Sequence, residues 1–175
     1  MIKMIRSVWS TVTTLLLLVL AATAALLYGY RLLGMQAFVV QSGSMEPACP
    51  VGSLVYVRPV EATELQAGDI ITFDLGDGVR GTHRIIEVAT HEGAPAFVTK
   101  GDANEEADNG FVLPAAIVGR VELTVPHMGF VAAFLQQPSG VYVKYAVVAG
   151  ALLLIVLPDV LFPEKKKPKQ QEEQP

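Results

Sequence analysis

Two long apolar runs frame this chain, and between them the hydrophobic period changes. From Val8 to about Leu33 the residues are almost all apolar or small, with Arg31 the one charge, near the far end. About twenty apolar residues cross a bilayer as a helix, so the run predicts a transmembrane helix over 8–33. A cleavable signal peptide is the rival reading, since Lys3 and Arg6 precede the run and small residues fall at Ala21 to Ala25. The apolar stretch continues well past those alanines and is too long for a signal-peptide core. It reads as a retained anchor, with Trp9 and the Tyr28/Tyr30 pair placed as interfacial aromatics. A second run covers 141–161, with Lys144 able to extend its charge to the surface and Pro158 in the last turns.

Between the runs the pattern is that of strands. Leu54–Val57, Ile70–Phe73, His83–Val88, Ala96–Thr99 and Ile117–Val125 are short runs rich in residues that favour a pleated surface. Gly68-Asp69 signals a turn and Gly76-Asp77-Gly78 a hairpin tip. No helical period is found between Pro47 and Pro126, and Met128 to Leu135 predicts an interfacial helix leading into the second span. The expected architecture is mainly β: an antiparallel domain over 34–140 between two transmembrane helices. Residues 1–7 form a short N-terminal segment and 162–175 a basic, disordered tail. Lysine and arginine cluster outside both runs, at Lys3/Arg6 and at Lys165–Lys169. The positive-inside rule then puts both termini in the cytoplasm and residues 34–140 on the other side.

Composition narrows the function classes. Of 175 residues, 51% are hydrophobic and only 17% charged, which suits a membrane protein with a modest soluble domain. The net charge is −4 and no basic stripe runs through the middle, so nucleic acid is excluded as a partner. Cys49 is the single cysteine, which rules out an intramolecular disulfide and a multi-cysteine metal site. There is no glycine-rich phosphate cradle and no His-Glu-x-x-His helix, so neither a metal nor a cofactor is expected.

The candidate chemistry begins just beyond the first anchor, at Gln41-Ser42-Gly43-Ser44-Met45-Glu46-Pro47, with two hydroxyls one glycine apart. A serine hydroxyl is a poor nucleophile until a base activates it and something holds that base. The bases between the two runs are His83, His91, His127 and Lys100. His91 falls in a hairpin loop and His127 follows Pro126 near the presumed membrane surface, whereas His83 sits in a strand that would hold its direction. On pattern alone, a histidine hydrogen-bonded on a sheet face is the stronger reading of His83. Asp102 and Asp108 could orient a base, and either could equally shape a turn.

Taken in order, Ser42–Pro47, Gly68–Phe73, Thr82-His83-Arg84-Ile85 and Lys100-Gly101-Asp102-Ala103-Asn104 with Asp108 resemble the ordered boxes of type I signal peptidases. Histidine in place of the commoner bacterial lysine resembles the endoplasmic-reticulum-type branch, which extends to archaea and some Gram-positive bacteria. The resemblance implies a membrane-bound serine endopeptidase that removes signal peptides. Ser44 would be the nucleophile, His83 the general base, Asp108 the acid of the triad and Asp102 a second acid of the same box. Ser42, with the Ser44 backbone, would form the oxyanion hole. Ala103 departs from the asparagine of many relatives, so no role is carried onto it.

The implied partners are secretory preproteins with small residues at the cleavage site, the bilayer, and a translocon close by. The implied location is a prokaryotic plasma membrane, with the endoplasmic reticulum as the alternative. Two rivals remain: a Ser/Lys peptidase using Lys100, and an inactive membrane-anchored β domain that binds exported chains.

Overall fold

A computed structural model of the chain describes residues 2–161. Met1 and the predicted 162–175 tail lie outside the described residues.

The strand β2 (Leu54–Arg58) explains how the two apolar ends meet the middle of the chain. A strand sends alternate side chains to opposite faces, yet Leu54, Val55, Tyr56 and Val57 are all buried. Both faces are therefore covered. Leu54 and Tyr56 pack with Leu27 at the end of the first helix, α1 (Ile2–Tyr28), and with Met128, Ala132 and Leu135. Val55 and Val57 pack with Met45 and Cys49 from the preceding loop. The Tyr56 hydroxyl donates to the Leu26 carbonyl in α1. Burial, then the neighbouring Tyr30, raises the Tyr56 pKa, which keeps the phenol a proton donor.

Around β2 lies one six-stranded sheet. Its strands are β1 (Gln36–Val39), β2, β3 (Ile70–Gly76), β4 (Val79–His91), β5 (Ala94–Lys100) and β6 (Ile117–Val125). The spatial order is β1-β2-β6-β3-β4-β5, antiparallel throughout. All five predicted strands are present, and β4 is longer than its apolar core because it pairs with β3 along its first half and β5 along its second. The hairpin tip at 77–78 is where the Gly-Asp-Gly signal places it. β1 was not expected. Its residues continue the composition of the anchor, and only pairing with β2 makes them a strand. The β6 strand joins the two halves of the sheet. Its Gly119 lies so close to the end of β2 that a Cβ would come within 2.2 Å of the Arg58 carbonyl oxygen. A second core of Leu65, Ile71, Phe73, Ile85, Phe97 and Val112 fills the β3-β4-β5 side.

The chain beyond β6 is helical, as α2 (Met128–Gln136) and α3 (Pro138–Leu161). α2 begins where the interfacial helix is predicted, and α3 starts three residues before the predicted second span. α1 with the 3-10 turn Gly29–Leu33, and α3, are each long and apolar enough to cross a membrane. They touch through a bond whose origin is chemical. Pro158 has no N–H, so the Leu154 carbonyl one turn earlier lacks its intrahelical donor. The Trp9 indole Nε1 donates to that carbonyl at 3.1 Å. Trp9 thus has a partner on α3 rather than only the interfacial place its position suggests.

Trp9→Phe should lower thermal stability in detergent by about 0.6 kcal/mol, the usual size of a hydrogen bond between membrane helices. In Pro158→Ala, which restores a backbone donor to Leu154, the same Trp9 substitution should cost measurably less. Equal costs in both backgrounds would show that the freed carbonyl does not matter.

Candidate active site

Ser44 sits in the loop between β1 and β2 and is held from three directions. Met45, 2% exposed, plugs the core beneath it. The chain turns tightly here, with Glu46 N donating to the Gly43 carbonyl at 3.0 Å and Cys49 N to the Met45 carbonyl at 2.8 Å. From the far side, Ala103 N donates to the Ser44 carbonyl at 2.9 Å. Gly101 makes that approach possible, because a Cβ there would lie 2.6 Å from the Ser44 oxygen.

His83 stands on β4 opposite Ile71 of β3, with the Phe73 ring edge-on to its imidazole at 6.2 Å. Its Nε2 lies 3.1 Å from Ser44 Oγ, and its Nδ1 lies 2.5 Å from Asp108 Oδ2. Asp108 is fixed in turn. Its N–H donates to the Thr99 carbonyl at 2.8 Å, and the Thr99 hydroxyl donates to the same Oδ2 at 2.7 Å. An ionised Asp108 can only accept, so beside it the His83 proton would sit on Nδ1 and leave Nε2 to accept from Ser44. The arrangement is a hydroxyl–imidazole–carboxylate relay, able to withdraw a proton from the hydroxyl and return it elsewhere.

Asp102 is placed differently. It is 18% exposed and faces Arg84, with Nε to Oδ1 at 2.8 Å and Nη2 to Oδ2 at 2.6 Å. Arg84 Nη1 also donates to the Gly68 carbonyl at 2.8 Å. The hydrogen bond to Asp102 raises the Arg84 pKa, with burial acting the other way. The stability that this shift contributes is fully present below the guanidinium's ordinary value and is lost as pH rises through the raised one.

Of the other candidates, Ser42 Oγ is 3.4 Å from Ser44 Oγ, and Lys100 Nζ points to the Glu105 carbonyl at 3.4 Å. His91 ends β4 and stacks on Phe111 at 5.2 Å, while His127 is exposed and begins α2 with φ +61°. Among the described residues no group of histidine, cysteine and carboxylate side chains could hold a metal ion. Thr99, buried and bonded to Asp108, was missed from sequence. The available signal was its place at the end of a predicted strand, directly before the Lys100-Gly101 box.

Arg84→Lys keeps the charge and loses the fork. It should cost about 1 kcal/mol, after allowing for the solvent at this partly exposed pair. Amide exchange at Ala103 should quicken, because the 101–104 loop is what the pair holds. Unchanged exchange at Ala103 would detach the pair from the Ser44 loop.

No family model matches the chain. Curated proteins do. Human signal peptidase complex catalytic subunit SEC11C is 33% identical over 126 residues, 66% of this chain and 66% of that protein. The signal peptidase complex catalytic subunit SEC11 of Colletotrichum graminicola is 28% identical over 130 residues, 68% of this chain and 73% of the relative. Signal peptidase I W of Bacillus subtilis is 44% identical over 71 residues, 40% of this chain and 37% of the relative. The chain thus spans 66% of the length of the mammalian relatives it matches. With these similarities, an antiparallel sheet carrying the ordered boxes, and two apolar helices at its flanks, the chain belongs to the type I signal peptidase family.

Proposed function

We propose that the chain is a membrane-bound serine endopeptidase that removes signal peptides from exported proteins. Ser44 is the nucleophile, His83 the general base and Asp108 the residue that orients it. The observation that carries this reading is the unbroken run of contacts from Ser44 Oγ through both His83 nitrogens to Asp108. His83 takes the Ser44 proton as Oγ attacks the scissile carbonyl, and Asp108 stabilises the imidazolium so formed. The Ser44 backbone N–H and the Ser42 hydroxyl receive the developing oxyanion, where one donor is worth about 2.7–4 kcal/mol. His83 then protonates the leaving amine, and water releases the acyl-enzyme. Asp102 acts through Arg84 as a positioning residue.

The rest of the molecule supports the same reading. Signal peptides present a site with small residues just beyond an apolar segment. A nucleophile separated from an apolar helix by one strand and one loop works at the same depth, which raises its effective concentration without new contacts. Both chain ends then lie in the cytoplasm and the β domain on the far side of a prokaryotic plasma membrane, close to the translocon. An apolar helix directly after the domain favours this over the endoplasmic reticulum.

With purified protein in detergent or lipid and a labelled preprotein, His83→Ala should fall to the Ser44→Ala background. Asp108→Asn should lose on the order of 10³–10⁴-fold. Lys100→Ala should keep most of the rate. A His83→Ala enzyme close to wild type would overturn the mechanism in favour of Lys100. Wild type equal to the Ser44→Ala blank would favour a domain that only binds exported chains.

A further inference from the structure

Beside the relay lies a cleft of about 580 Å³ that the mechanism above does not use. His83, Thr99 and Asp108 line it, and Ser44 does not. Its walls come from the β3–β4 hairpin on one side and the 104–112 loop on the other. Phe73, Leu75, Phe111 and Val112 supply apolar surface, and Leu75 at 63% and Phe111 at 47% exposure keep much of it open to a partner. The charges are one-sided: Asp74 and Glu106 join Asp108 in the lining, and no lysine or arginine does. Arg80, paired with Asp74 across the hairpin, instead lays its guanidinium over the Phe38 ring at 4.8 Å and reaches Gln36 on β1.

The direction of the chemistry says which part of a substrate meets this cleft. The imidazole that receives the serine proton must deliver it to the leaving nitrogen, so the leaving side of the scissile bond departs from His83. We propose that the cleft binds the polypeptide segment immediately downstream of the cleaved bond, and that it selects against acidic residues there. This rests on the peptidase reading and adds a specificity determinant to it. The apolar walls take a side chain of that segment, while Asp74 and Glu106 repel carboxylates and tolerate neutral or basic residues. The upstream segment, with its small residues, contacts other surfaces and is indifferent to these two carboxylates.

The test uses two preproteins with the same signal peptide and cleavage site. They differ only in the three residues after the bond, Gly-Gly-Gly or Asp-Asp-Asp. The measured quantity is the ratio of their kcat/KM values, from which any general loss of folded enzyme cancels. Wild type should favour the glycine substrate by about five-fold, the scale of partly screened charge repulsion. In the double variant Asp74→Asn/Glu106→Gln the ratio should fall below about two. A pair of preproteins differing only upstream of the bond should keep the same ratio in both enzymes. If the downstream ratio is equal in wild type and variant, the cleft does not take that segment. If both ratios move together, the substitutions have disturbed the relay and the assignment is wrong. If wild type cleaves neither preprotein above the Ser44→Ala blank, the peptidase reading itself fails and this one falls with it.

Discussion

The bond between the Ser44 carbonyl and the Ala103 amide is the contact on which the site depends. It joins the loop after β1 to a loop beyond the fifth strand, fixing the Ser44 backbone against the segment that also carries Asp108. The approach tolerates no side chain at Gly101, where a Cβ would meet both the Ser44 oxygen and the Asn104 amide. Met45 secures the same loop from below by filling core volume. Backbone hydrogen bonding and burial therefore act on one residue from opposite sides. Such a clamp limits the freedom that Ser44 would have on a bare loop.

Two acidic residues six positions apart take different tasks because their neighbours differ. Asp108 is drawn to His83 by the Thr99 hydroxyl and a backbone bond to the same threonine. Asp102 is captured by the guanidinium of the residue that follows the histidine. Successive residues on a strand point to opposite faces, so His83 and Arg84 address the two acids from opposite sides of β4. One strand thus holds His83 to Asp108 and, through Arg84, holds the loop that carries the Ser44 contact.

The apolar helices are part of this construction as well as a means of attachment. Leu27 packs on Leu54 and Tyr56, so the end of α1 is anchored to the strand that follows the Ser44 loop. α2 closes the same face from the other direction. The distance from the end of the helix to Ser44 is consequently set by packing rather than by a flexible linker, which gives a membrane tether a defined height.

Much of this was legible in the residues. Apolar length alone marks the two helices, and short β-favouring runs with glycine turn signals mark five of the six strands, because both signals are local. The ordered boxes identify the serine, the histidine and both acids as a set. β1 was invisible because its composition matches the helix before it, and pairing with β2 is a non-local event. Residue pattern left open which acid meets His83, since spacing along a loop does not say where the loop folds back; only the resemblance pointed to Asp108. Thr99, the Trp9 contact to α3 and the cleft beside the relay also required the fold. Sequence by itself determined the kinds of element and the inventory of reactive groups; only the tertiary structure decided the pairings, because a hydrogen bond is a matter of distance and direction between residues far apart in the chain.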